Sequence, residues 1–164
     1  MSRLVFDTSV LIDIINADIL EHLCQLDYEL LISNVQVGEQ KKRKEITCRD
    51  LESYGFKIIS HPPDEVEKVY LIKRLHNRLS VKDLFAFITA EQEKALLITG
   101  DKDLRKMAEK SGLECHGILW LLDQIVDKNI LSKKFAYRAL SQIIKSGGYL
   151  PEKEVHKRLK EWSS

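Results

Sequence analysis

Short apolar runs alternate along the chain with longer stretches of helical periodicity, and that alternation predicts an α/β fold with a mostly parallel sheet. LVF (4–6) is rich in strand formers and too short for a helix, so it reads as a first buried strand. A helix is expected over 10–23 (VLIDIINADILEHL), then a second strand over 28–32 (YELLI). Ser33 and Asn34 can cap a long helix through 40–54, stopped by Gly55. FKII (56–59) predicts a third strand, and Asp64 offers a cap for a helix over 65–77. Ser80 precedes a helix over 83–94, ALLIT (95–99) is a fourth strand, and a helix over 101–111 ends at Gly112. A short fifth strand over 113–116 leads into helices over 117–128, 132–146 and 151–162. Leu131, Phe135, Ala139 or Leu140, and Ile143 form an apolar helix face. Packing on its own sheet is the simplest use of that face; a dimer or partner groove is the alternative.

Composition narrows the class without naming a partner. A chain of 164 residues fits one domain, here a core over about 1–127 and a helical extension over about 128–164. Twenty-six basic residues against 25 acidic ones leave a net charge of +1, so only a local cluster could attract a charged ligand. Cys24, Cys48 and Cys115 are odd in number and lack a C-x-x-C pair, which argues against a disulfide framework or a structural zinc site. No segment approaches the ~20 apolar residues of a membrane helix. Asp7 falls where a signal peptide would carry its apolar core, so a cytoplasmic protein is expected.

In an open parallel sheet, ligands bind beyond the C-terminal ends of the strands. Asp7 ends the first strand, with Thr8 and Ser9 after it; Thr99, Gly100 and Asp101 close the fourth, followed by Asp103. Glu39 follows the second strand and Asp83 begins the helix that feeds the fourth. Four carboxylates can therefore meet at one edge. Gathered acids repel one another, and a hard divalent cation with oxygen ligands relieves that repulsion. Such an ion suits metal-dependent hydrolysis of a phosphodiester. No Ser-His-Asp or Cys-His order, P-loop or zinc motif competes with it. Each acid has a plainer reading beside this one. Asp7 and Asp101 could be helix caps, Asp83 could complement a helix dipole, and Glu39 could be an ordinary surface residue.

FDTSVLIDI at the N-terminus, Glu39, the stretch SVKDLFAFITAEQEKALLITGDKDLRKMA and LECHGILWLLDQIV resemble the PIN domain family over about 1–127. The remainder resembles the helical tail of PIN proteins related to the VapC toxins of toxin–antitoxin pairs. The resemblance implies a three-layer α/β/α sandwich around a mostly parallel five-stranded sheet, with C-terminal helices added. It implies an endoribonuclease dependent on Mg²⁺ or Mn²⁺, with Asp7, Glu39, Asp83 and Asp101 as the catalytic acids and Asp103 as an additional metal ligand. Thr8, Ser9 and Thr99 become supporting hydroxyls. A homodimer and a small antitoxin partner are implied as well. One departure stands out: Leu84 and Phe85 follow Asp83 where the family often has small residues.

Acids alone would repel RNA, so an active site of this kind needs a basic rim. Lys41, Lys42, Arg43 and Lys44 follow Glu39, Lys82 adjoins Asp83, and Lys102, Arg105 and Lys106 adjoin Asp101. Phosphate contacts there would set affinity. Single-stranded or looped RNA is the expected substrate, because unpaired backbone can reach a recessed site. Two other classes stay open. One is a binding module on the same fold with a degraded site. The other is an aspartyl phosphatase or phosphoacceptor, weakened by the absence of a second Asp two residues after Asp7.

Overall fold

The computed structural model describes residues 1–37, 46–148 and 150–163. Five strands, β1 (Ser2–Phe6), β2 (Tyr28–Ser33), β3 (Lys57–Ile59), β4 (Leu96–Ile98) and β5 (Cys115–His116), form one sheet in the order β3-β2-β1-β4-β5. Every pairing in it is parallel. Side chains alternate across a strand, so a sheet covered on both faces needs apolar residues at every position. β1 shows this: Leu4 and Phe6 enter one apolar cluster and Val5 the other. Leu30 and Ile32 of β2 share the first cluster, and Leu31 the second.

The two clusters are covered by different helices. On one face lie α1 (Thr8–Asn16), α2 (Leu20–Leu23), α3 (Cys48–Ser53), α7 (Ile118–Asp127), α8 (Lys133–Lys145) and α9 (Glu152–Trp162). On the other lie α4 (Pro63–Leu75), α5 (Val81–Glu93) and α6 (Lys102–Lys110). The result is the expected three-layer α/β/α arrangement. Leu84 through Ala90 of α5 are buried without a break, because this helix is enclosed on all sides. Leu84 and Phe85 thus pack in the core, with Phe85 against the His61 ring at 4.9 Å between centroids.

Several local expectations need correction. The helix expected over 10–23 is two helices, α1 and α2, separated where Asp18 takes φ 57°. Ser33 does not cap a long helix; it caps a single 3₁₀ turn, Asn34–Gln36. Thr47 caps α3 through Asp50, and the first part of the helix expected over 40–54 lies outside the described residues. Asp64 is not the cap of α4. Pro62 holds that position, Pro63 supplies the pre-set φ of a first helical residue, and Asp64 sits in the first turn.

The apolar face of α8 is spent inside the molecule. Ala136, Ala139, Leu140 and Ile143 are buried against α1, α7 and α9. Phe135 is the exception at 52% exposed, beneath the Arg138 guanidinium at 5.4 Å. After α8 the chain turns at Gly147 (φ +93°) and Gly148. A Cβ on Gly148 would stand 2.7 Å from Ile143 Cγ2, so this turn admits no larger residue without displacement.

Candidate active site

The sheet order reverses direction at β1: β2 and β3 lie on one side of it, β4 and β5 on the other. A crevice is expected beyond the strand ends at that switch. The register pairs Phe6 with Ile98, so the residues that follow, Asp7 and Thr99, emerge side by side. Asp7 N–H donates to the Ile98 carbonyl at 3.0 Å. The Thr99 hydroxyl donates to Asp7 Oδ2, and Thr99 Oγ1 accepts from Asp101 N–H at 3.0 Å. One buried threonine therefore links the acid after β1 to the acid after β4.

Asp7 and Asp101 are also helix N-caps, and Asp83 is the third-residue partner in a capping box. Asp7 Oδ1 accepts from Val10 N–H at 2.8 Å and caps α1. Asp101 Oδ1 accepts from Leu104 N–H at 2.9 Å and caps α6. Asp83 Oδ2 accepts from Ser80 N–H at 3.0 Å in a reciprocal box with the Ser80 hydroxyl at the start of α5. The plain reading of these acids as helix-start residues therefore holds. Capping occupies one oxygen of each carboxylate, and it fixes where the other points. Asp83 Oδ1 and Asp101 Oδ2 make no hydrogen bond among the described residues.

Asp7 is 1% exposed. Burial pushes its carboxyl up to about 6; the bonds from Thr99 and Val10 pull it down, and the negative charges of Asp83 and Asp101 push it up again. Both of those acids are therefore near enough to act on it. Among the described residues, no three His, Cys, Asp or Glu side chains stand close enough to grip one ion together. An all-oxygen donor set around a crowded carboxylate nonetheless fits a hard divalent cation, and Mg²⁺ usually retains several waters when held by one or two carboxylates. Asp7, Asp83 and Asp101 are the residues that would hold it.

The other expected site residues divide. Glu39, Lys41, Lys42, Arg43 and Lys44 lie outside the described residues. Thr8 is half-buried beside Asp7, and Ser9 is exposed on the first turn of α1. Lys82 and Lys102 stand in the first turns of α5 and α6. Arg105 turns toward the sheet, donating to the Thr99 carbonyl at 3.2 Å, so its guanidinium buttresses the end of β4. Asp103 is exposed in the first turn of α6, where it lines a cleft with the loop between α4 and α5.

Two features went unread in the sequence. Gln36 is fully buried, and its amide nitrogen donates to the Phe6 carbonyl at 2.8 Å and to Thr8 Oγ1 at 3.3 Å, while its oxygen accepts from Ser33 N–H at 3.3 Å. It pins the end of β2 to the Asp7 turn. Ser33, His61 and Glu65 also form a chain, with Ser33 Oγ 2.7 Å from His61 Nε2 and His61 Nδ1 2.8 Å from Glu65 Oε2. Such an order resembles a hydrolytic triad, but the hydroxyl is fully buried and its contacts tie β2 to the segment before α4. Ser33 and Gln36 do carry a sequence signal, the three-residue spacing of a capping box, whereas a lone His61 carries none.

A five-stranded parallel sheet covered by helices on both faces defines an α/β protein, and comparison with known proteins supplies the family. The chain belongs to the PIN domain family: the model of the PIN domain group DUF3368 matches residues 3–164. PIN domains are generally nucleases and typically use divalent metals. The fold is similar to that of a PilT N-terminus domain protein, SSO1118, from the hyperthermophilic archaeon Sulfolobus solfataricus P2, with a TM-score of 0.53 and 20% identity. That likeness covers 76% of this chain and 93% of the other. A search of the curated proteins gives no match. Among the described residues no helix is long and apolar enough to cross a membrane.

Proposed function

We propose that the chain is an endoribonuclease that depends on Mg²⁺ or Mn²⁺, with Asp7, Asp83 and Asp101 as ligands and Glu39 as the fourth acid. The observation that supports this reading is the Thr99 link between Asp7 and Asp101, together with the electrostatic push of Asp83 on the same buried carboxylate. When bound, the cation supplies Lewis acidity at the scissile phosphate. The chain supplies the rest. Val10 and Thr99 hold Asp7 in one orientation. Capping leaves Asp83 Oδ1 and Asp101 Oδ2 available at the edge. The N-termini of α1, α5 and α6 place positive dipole ends where a phosphate would arrive.

Cleavage of single-stranded RNA with and without Mg²⁺ or Mn²⁺ tests the reading. Asp101→Asn keeps an acceptor for Leu104 N–H and is expected to fold while losing at least a hundredfold in rate. Undiminished cleavage by Asp101→Asn would remove the mechanism. No metal-dependent cleavage by the wild type would favour the interaction-module alternative. A homodimer and a small inhibitory protein partner belong to the same proposal through the VapC resemblance, and sedimentation of the purified chain tests the first.

A further inference from the structure

A cleft of about 600 Å³ separates the loop after α4 from the outer side of α6. Its size falls within the ordinary range of ligand pockets, roughly 300–1,000 Å³. Leu75, Leu79 and Met107 contribute apolar surface, while Arg78, Lys106 and Lys110 contribute positive charge. Asp103 is the single carboxylate along it. Among the described residues, none of those three cations has an ion-pair partner, although Arg3, Lys68 and Arg158 elsewhere are all paired. Unpaired cations facing a concave surface favour an anion.

The cleft's walls are built, and both run into the candidate acids. Lys73 Nζ donates to the Asn77 carbonyl at 2.9 Å and also to the Leu79 carbonyl, and Leu79 N–H donates to the His76 carbonyl at 3.2 Å. The loop is thus held from within. Leu79 precedes Ser80, which forms the cap with Asp83; on the other wall Asp103 is two residues beyond Asp101. The cleft and the acids are thus neighbours along both walls, within four residues in sequence.

We propose that the cleft holds the nucleotide of single-stranded RNA next to the scissile phosphate, with Arg78, Lys106 and Lys110 on its backbone phosphates; this rests on the nuclease reading above. The pocket-lining residues include no Phe, Tyr or Trp. Base stacking on an aromatic platform is therefore replaced here by charge, and the contact should tolerate any base. His76 is the one ring available to it.

Binding of a labelled, random-sequence single-stranded 15-mer RNA, measured in Ca²⁺ at several salt concentrations, tests this. Arg78→Glu with Lys106→Glu should weaken binding at least tenfold and flatten the salt dependence, by a slope of about 0.7 for each lost phosphate contact. The milder pair Arg78→Ala and Lys106→Ala should show the same direction. Lys153→Glu with Lys157→Glu, the matched reversal on α9, should leave affinity unchanged. Wild-type affinity in both cleft variants overturns the proposal, as does a wild type that does not bind the RNA, or one weakened equally by the α9 reversal. A wild type that binds through the cleft but cleaves nothing with Mg²⁺ or Mn²⁺ retires the nuclease reading and sustains the binding site.

Discussion

The C-terminal edge of the sheet and the helical layer formed by α7, α8 and α9 are held together by opposite means. The layer rests on apolar contact: Leu121, Leu122 and Ile125 of α7, Leu140 and Ile143 of α8 and Trp162 of α9 share one cluster. Its main polar tie is at the margin, where Arg158 reaches Asp123 through two bonds of 2.9 and 2.7 Å, and that pairing raises the guanidinium pKa further. The edge instead buries a carboxylate. Asp7 is enclosed with one hydroxyl and one amide for partners, and its two nearest acids share its sign. A region selected for stability alone would not keep that arrangement, because a buried ionised group is a standing penalty. Here the unfavourable charge is held in place by the starts of three helices, capped by Asp7, Asp101 and the Ser80–Asp83 box.

Breaking the edge should therefore stabilise the protein while disabling it. The unfolded Asp7 carboxyl releases its proton near 3.8 and the folded one near 6. Between those values the native state binds more protons, so the penalty appears as pH rises and is complete above about 7. Metal-free Asp7→Asn is expected to match the wild type near pH 3.5. At pH 8 it should exceed the wild type by on the order of 2–3 kcal/mol in urea unfolding, with RNA cleavage lost. A less stable variant at pH 8 would show that the charge is welcome there. Thr99→Val strips the link instead of the charge. Asp7 Oδ2 and Asp101 N–H both lose a partner, and roughly 1–3 kcal/mol of stability should go at pH 8 in the same assay. On the other side of the comparison, Arg158→Ala should cost about 1 kcal/mol, since the pair is partly exposed. Its cleavage rate should stay within twofold of the wild type, and a large loss of rate would mean that α9 contributes to the site.

The regular parts of both regions were legible because their signals are periodic. Apolar runs at 4–6, 28–32 and 95–99 read as buried strands from their shortness and strand-forming residues, and a β-α alternation leaves few topologies. The places of Asp7 and Asp101 after strand ends, and of Asp83 in a first helical turn, were legible because such positions are fixed in that alternation. What escaped depends on non-local geometry. Gln36 looks like any polar residue until β2 is paired with β1, and His61 becomes meaningful only beside Ser33. Arg105, expected at a basic rim, is drawn instead to the Thr99 carbonyl six residues back in sequence. Asp18 breaks the first helix through a left-handed backbone that no apolar pattern announces.

The central claim of the proposed function is that a divalent cation binds at the sheet edge carrying Asp7, Asp83 and Asp101, held by one or two of their carboxylates and otherwise by water. Titration of the purified protein with Mn²⁺, followed by electron paramagnetic resonance of the free ion, tests it most directly. Saturable binding by the wild type and by Arg158→Ala, with marked weakening in at least one of Asp7→Asn, Asp83→Asn and Asp101→Asn, is the expected outcome. Binding of equal strength in all three acid variants would contradict the account.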